Sequence, residues 1–322
     1  MKHVTIVVPQ GNANLSSITG TYEILTGANA YWQRQGNRPK LAITVAGAVP
    51  EVKLDAGFIT VHPTLIGTVK KTDLVIIPSA PFSLKLIGEN KELIHWIKAQ
   101  YLNGAEIASM CTGAFLLAAT GLLDGKTCST HWSAENRFKQ MFPKINLQPD
   151  KLVTAEHGIY TNGGAYSFLH LVLFLVEIYF DRSTAIYCSK VFQIDMDRTS
   201  QSPFFIFQGQ KNHGDEVVNK AQIYIEQNLR ERISFEALAA ELAISRRNFD
   251  RRFTKATGNT PVEYWQRVKI EVAKSALEKG RKSVYEVMTE VGYSDDKAFR
   301  DVFKKLTGVS PLDYRARYSK AF

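Results

Sequence analysis

Apolar residues recur along this chain in two rhythms. Through residues 1–195, short unbroken apolar runs alternate with longer helical stretches. Val4-Thr5-Ile6-Val7-Val8 is such a run, ended by Pro9 and Gly11. Residues 41–46, 73–78 and 105–110 are others. Each predicts a strand buried on both faces. Between and after them, residues 18–30 and 93–102 predict helices, and residues 168–180 a buried one. Strands alternating with helices predict a parallel sheet covered on both faces. From residue 216 onward the period is that of helices alone. Residues 216–229 place Val217, Ala221, Tyr224, Ile225 and Leu229 on one face. Residues 262–279 turn Trp265, Val268, Val272, Ala273, Ala276 and Leu277 inward. Between the two halves, residues 200–215 carry Pro203, Gly209 and Gly214 and read as a linker, although Phe204-Phe205-Ile206-Phe207 can pack on a domain.

The helical half repeats itself. Phe249, Phe253, Gly258, Thr260-Pro261 and Tyr264 recur 50 positions later as Phe299, Phe303, Gly308, Ser310-Pro311 and Tyr314. Self-similarity of this kind marks a duplicated supersecondary unit. The paired phenylalanines, four apart, share a buried helix face. Gly258 and Gly308 suit left-handed C-caps. Ser245 and Ser294 can cap the helices that carry the phenylalanines. Thr260 and Ser310, each followed by Pro and an acid at the third position, predict helix starts, weaker where Asp313 replaces Glu. Short amphipathic stretches and tight turns at Ala243-Ile244 and Gly292-Tyr293 precede both copies, giving helix-turn-helix units. In this upstream part the offset is 49, so the second copy carries one extra residue between Ser294 and Phe299.

Charge supports a polyanion partner. The chain has a formal net charge of +9, and residues 216–322 hold 21 basic against 15 acidic side chains. A solvated basic surface gives the same count, so charge alone does not decide. Three cysteines, Cys111, Cys128 and Cys188, show no pairing pattern and suggest a reducing, cytoplasmic setting. No spacing matches a metal motif, and no stretch is long enough to span a bilayer. No cofactor is implied.

On Gly292-Tyr293-Ser294, Ala298-Phe299-Arg300, Phe303-Lys304-Lys305, Gly308-Val309-Ser310-Pro311 and Tyr314-Arg315, the second half resembles the AraC/XylS-type DNA-binding domain. The resemblance implies two recognition helices, 246–257 and 295–307, on successive major grooves of double-stranded DNA. It implies base contacts from Arg247, Asp250 and Arg251 in the first, and from Asp296, Lys297 and Arg300 in the second. Arginine can bond guanine and aspartate can accept from cytosine. Arg246, Arg252, Lys255, Lys304 and Lys305 are placed as phosphate contacts. It further implies a homodimer, a small effector and contact with RNA polymerase.

In the first half, a strand ending at Met110 and a helix from about Thr112 put Cys111 on a sharp turn at the carboxyl edge of the sheet, where α/β folds bind ligands. A helix start there would lower the thiol pKa. With Gly121-Leu122-Leu123-Asp124-Gly125-Lys126, Thr130-His131-Trp132 and Tyr160-Thr161-Asn162-Gly163-Gly164, this half resembles the PfpI-type, class I glutamine-amidotransferase-like domain. That implies a flavodoxin-like parallel sheet, in the subgroup of AraC-type regulators that use the domain as a sensor. Two departures matter. Hydrolytic members follow the cysteine with His, where this chain has Thr112, and many place a Glu where it has Ser17. A nucleophile with neither base nor orienting group is weak evidence for catalysis.

Three readings of Cys111 stay open: a small buried turn residue, a ligand contact and a nucleophile. His131 is either structural or a ligand contact. The expected organisation is a sensor and dimerisation domain over 1–199, a linker over 200–215 and the DNA-binding domain over 216–320. The expected function is a transcription regulator, not an enzyme, with a nitrogen-containing effector held by Ser17, Cys111, Thr112 and His131. The alternatives are a cysteine-dependent amidohydrolase or deglycase fused to a DNA-binding domain, and an architectural DNA-binding protein.

Overall fold

The computed structural model describes residues 1–319, so the expected end of the second domain at residue 320 lies outside the described residues. The chain divides into two compact units, Met1–Gln201 and Ser202–Phe322.

The first unit begins β1 (Lys2–Val7), α1 (Leu15–Arg34), β2 (Leu41–Gly47), β3 (Val52–Leu54), β4 (Ile59–Val61), β5 (Thr64–Leu65) and β6 (Leu74–Ile77). It continues α2 (Leu84–Glu89), α3 (Lys91–Leu102), β7 (Glu106–Met110), α4 (Ala114–Ala119), β8 (Thr127–Cys128), α5 (Glu135–Met141) and β9 (Asn146–Leu147). It closes with β10 (Val153–Glu156), β11 (Ile159–Asn162), α6 (Phe168–Tyr179) and α7 (Arg182–Phe192). Seven strands form one sheet in the order β10-β11-β7-β6-β1-β2-β5. The central runs are buried throughout: every residue of β6 is inaccessible or nearly so. This is why they read as continuous apolar stretches.

The sheet is parallel except at one edge, where β10 pairs antiparallel with β11. The parallel sheet expected from the apolar runs is thus present, with one antiparallel strand added at its edge. Only His157 and Gly158 separate the two strands, at φ 51° and 72°. A two-residue turn of that kind returns a strand antiparallel to its neighbour, because a parallel return needs a long crossover.

The second unit is helical: α8 (Glu216–Gln227), α9 (Phe235–Glu241), α10 (Arg246–Thr257), α11 (Pro261–Glu278), α12 (Val284–Glu290), α13 (Asp296–Thr307) and α14 (Pro311–Tyr318). It has two cores. One gathers Phe249, Phe253 and Tyr264, the other Phe299, Phe303 and Tyr314. The long helix α11 serves both, with Tyr264 in the first and Ile270, Ala273 and Leu277 in the second. Val272, expected inward, is exposed, since it lies beside the stripe those three residues define. Gly258 and Gly308 are the left-handed C-caps of α10 and α13.

The caps correct one detail. Ser245 caps α10 by accepting from Asn248 N, but α13 is capped by Asp295, which accepts from Ala298 N, and not by Ser294. Asp295 lies 50 positions after Ser245. The extra residue of the second copy therefore sits in the turn before the cap, not in the helix. Thr260 and Glu263 close a full capping box. In the second copy the Asp313 carboxylate accepts from the Ser310 hydroxyl at 2.6 Å. The shorter acid thus leaves the box half made.

The aromatic end of the expected linker is docked, not loose. Phe207 is buried against Tyr264, ring centres 5.2 Å apart. Lys274 Nζ, itself buried, donates to Phe205 O at 2.5 Å and pairs with Glu271 at 2.9 Å. Phe207 N donates to the same Glu271 carboxylate at 3.1 Å.

Candidate DNA interface and cysteine elbow

Burial of Phe249 and Phe253 fixes the rotation of α10. The opposite face then carries Arg247, Arg251 and Lys255, all exposed and four residues apart in sequence. Residues so spaced line one side of a helix, and a row of cations with that spacing can meet base edges and phosphates in a groove. Arg251 Nη2 donates to Asn248 Oδ1 at 3.0 Å. Asn248 was not among the expected site residues; its place one turn before Arg251 was the available signal.

Three expected contacts are otherwise engaged. Arg246 Nε bonds both oxygens of Asp250 at 2.9 and 3.0 Å, and its Nη1 bonds Glu236 at 2.6 Å. The expected phosphate contact and the expected base contact therefore hold each other. Arg252 bonds both oxygens of Asp215, at 2.9 and 2.7 Å. Asp215 in turn caps α8 by accepting from Val218 N. The Arg252 hydrogen bond, outweighing burial, holds the Asp215 carboxyl below its ordinary range. Arg252 is thus a brace between helices.

In α13, Asp296, Lys297, Arg300, Lys304 and Lys305 are all exposed. Arg300 Nε pairs with Asp296 at 2.8 Å. Offset by 50, this is the Arg246–Asp250 pair with the signs exchanged. Asp301 stands where the first helix has Arg251.

The elbow of the first unit is built from the carboxyl ends of β6, β7 and β11 and the start of α1. Cys111 follows β7 at φ 53°, a backbone setting costly for any residue but glycine. A side chain at Gly113 would come within 2.4 Å of Pro78 O, so the turn must be glycine to pass β6. Asn162, at the end of β11 and fully buried, accepts from Cys111 N at 3.3 Å. Thr130 Oγ1 donates to Cys111 O at 2.9 Å. Thr112 Oγ1 donates to Ala80 O at 2.6 Å and lies 3.0 Å from Ser79 Oγ. Ser17 Oγ accepts from Ser79 N at 3.2 Å and donates to Asn14 O at 2.7 Å.

Ser17, Cys111 and Thr112 thus come together, with Ser79 and Asn162 as partners that the sequence reading did not assign. Asn162 had stood in plain view before Gly163-Gly164. His131 is one residue beyond Thr130. It is half-buried, its Nδ1 accepts from Ser133 N at 3.2 Å, and burial pushes its pKa down. Among the described residues no hydrogen bond joins it to Cys111.

Burial pushes the Cys111 thiol up, although the Ser79 and Thr112 hydroxyls pull the other way. The lowered thiol expected from a helix start is corrected: α4 is one short helix, and desolvation of a nearly inaccessible sulfur outweighs it. Cys128 is pushed up to about 12 and Cys188 to about 11, both by burial. Among the described residues no cluster could hold a metal ion, and no helix is long and apolar enough to cross a membrane.

These features define a two-unit protein, an α/β domain with a strained cysteine elbow joined in sequence to a double helix-turn-helix. Residues 22–177 match the DJ-1/PfpI family and residues 238–317 match a helix-turn-helix domain. The chain carries a DJ-1/PfpI-family domain and an AraC-type helix-turn-helix domain. It is similar to the HTH-type transcriptional regulator GbdR of Pseudomonas aeruginosa, 25% identical over 226 residues, which is 70% of this chain and 61% of that protein. It is 26% identical over 222 residues to the HTH-type transcriptional regulator GlxA of Rhizobium meliloti, 66% of each chain. The match thus spans under two thirds of GbdR. A crystal structure of an AraC family transcriptional regulator from Pseudomonas putida shares the fold, with a TM-score of 0.51 and 18% identity over 60% of this chain and 100% of that one.

Proposed function

We propose that the protein is a sequence-specific, DNA-binding transcription regulator of the bacterial cytoplasm. The observation that carries this is the pair of capped recognition helices. Each buries two phenylalanines and turns a charged row outward, Arg247, Arg251 and Lys255 on one and Lys297, Arg300 and Lys304 on the other. In this reading Arg247, Arg251, Lys297 and Arg300 meet bases, while Lys255, Lys304 and Lys305 meet phosphates. The sensor and dimerisation domain, residues 1–199, senses an effector and forms the homodimer, and RNA polymerase is a further partner. A small, nitrogen-containing effector would be held at the elbow by Cys111, Thr112 and Ser17, with His131 near its rim. Only a small group could enter there, since the first three side chains are nearly inaccessible.

The test is selection of bound duplexes from random DNA at physiological salt. Enrichment of a site with two elements about one helical turn apart is expected. Equal recovery of all sequences would replace the proposal with an architectural DNA-binding role. The enzyme reading has one feature in its favour, the strained φ at Cys111. The raised thiol and the residues at 17 and 112 argue for binding instead.

A further inference from the structure

A cavity lies in the first unit, lined by none of Ser17, Cys111, Thr112 and His131. It is open on one side and has a volume of about 240 Å³, room for roughly eight water volumes of ligand. One wall is a single face of α6, which supplies His170, Leu173, Phe174 and Glu177. The other walls are Leu152 and Val153 of the sheet edge and the segment Met196, Arg198 and Thr199.

The lining is divided. Leu152, Val153, Leu173, Phe174 and Met196 make an apolar body. The polar groups are His170, Arg182, Arg198 and Glu177. Arg182 bonds Glu177 at 2.6 Å, and Arg198 Nε donates to Ser200 O at 3.3 Å. Nδ1 of His170 is buried without a hydrogen-bond partner among the described residues. Burial, and after it the Arg198 charge, favour the neutral ring, while the backbone of Ser167 and Asp195 and then the exposed Asp195 carboxylate act the other way. A buried imidazole nitrogen lacking a partner is costly, and a guanidinium beside it suits an oxyanion. We infer that this cavity binds a small organic carboxylate with an apolar body, its carboxylate toward Arg198 and His170 and its body among Leu152, Leu173 and Met196.

The cavity wall also has a place in the chain. Residues 196–201 are tied to the sheet edge by Leu152 N to Thr199 O at 3.2 Å and Gln201 N to Asp150 O at 3.0 Å. They are the last residues of the first unit before Ser202. A ligand that fastens Met196 and Arg198 fastens the exit of the chain toward the DNA-binding unit. This regulatory consequence rests on the regulator reading, whereas the binding site does not.

Calorimetry on the full chain without DNA tests the site, using hexanoate and phenylacetate as probes and hexylamine and hexanol as controls. The acids are expected to bind at least tenfold more tightly than the amine or the alcohol. Arg198→Gln should weaken them at least tenfold, Met196→Trp should fill the cavity and abolish binding, and Cys111→Ser should leave it unchanged. Circular dichroism melts confirm that each variant is folded, and Met196→Trp decides the matter if Arg198→Gln is not. Absence of acid binding to the wild type, equal binding of the amine, or binding that survives Met196→Trp would overturn the inference. Because no DNA is present, its failure is distinct from failure of the regulator reading, which the duplex selection reports.

Discussion

Arg252 reaches back 37 residues to Asp215 and holds both its oxygens, at 2.9 and 2.7 Å. The same carboxylate caps α8. The pair therefore ties the first helix of the second unit to its first recognition helix. Arg252→Ala should lower the melting temperature of the second unit while leaving the salt dependence of DNA affinity unchanged. Asp215→Ala also loses a helix cap, worth about 0.5–2 kcal/mol. Lys255→Ala should do the reverse, leaving the melt unchanged and reducing the salt slope by about 1. A reduced slope for Arg252→Ala would return it to the phosphate set.

Arg251 has an exposed guanidinium steadied by Asn248. Arg251→Ala should cost about 1–3 kcal/mol on a preferred duplex and relax one base position. Asn248→Ala should give a smaller loss at the same position, because it only loosens the arginine. Competition binding against singly substituted duplexes would show whether the losses coincide.

Lys269 gives the second unit a pH dependence. Its ammonium is buried, 3.9 Å from the Trp265 ring centre and 3.3 Å from Gly292 O, and burial lowers its pKa to about 8. The folded state thus holds this proton less tightly than the unfolded chain, whose lysine keeps its ordinary value of 10.5. Below pH 8 the full penalty applies. From pH 8 toward 10.5 the unfolded state binds more protons, so stability rises with pH. Tyr264 and Tyr314 act oppositely above about pH 10. Burial and hydrogen bonds to Glu226 and Glu278 keep both protonated in the fold. Urea melts between pH 7 and 9.5 should show wild-type stability rising relative to that of Lys269→Met, a difference in which the opposing contribution of the buried thiols of the first unit cancels.

Cys111 should resist alkylation. With its thiol raised by burial and the sulfur nearly inaccessible, iodoacetamide at pH 7.5 should modify native protein far more slowly than urea-unfolded protein. Cys111→Ser should retain DNA affinity. Fast native labelling, read by mass spectrometry of the peptide, would restore the nucleophile reading.

The two helix-turn-helix bends differ in what they tolerate. At Gly292, φ is +73° and an added Cβ would lie 2.6 Å from Arg230 O. Its counterpart in the first copy is Ala243, already at φ 55°. Gly292→Ala should destabilise by more than about 2 kcal/mol. Ala243→Gly should change stability by less than about 1 kcal/mol, since relief of the left-handed strain is offset by lost chain entropy. Chemical denaturation of both variants makes the comparison.

What the sequence disclosed follows from locality. The Phe249–Phe253 and Phe299–Phe303 spacings, the glycine caps and the strand-to-helix turn at Cys111 are all set within a few residues. Pattern therefore carried both folds and the location of the elbow. The partners of charged side chains were not legible, because they depend on rotamer choice and tertiary contact. Nothing local says that Arg246 spends itself on Asp250, or that Arg252 turns away toward Asp215. The thiol was misjudged for a similar reason: desolvation is a property of the whole packed domain. The His157-Gly158 hairpin, by contrast, is a local feature, a two-residue turn with both φ values positive between two short strands.

The exchanged signs of Arg246–Asp250 and Asp296–Arg300 have a consequence for any operator this protein recognises. Two unlike reading heads give the chain a front and a back. A site for such a chain has a polarity along the duplex, so inverting it is not equivalent to leaving it in place. Paired sites could then be told apart as head-to-tail or head-to-head by their order of bases alone.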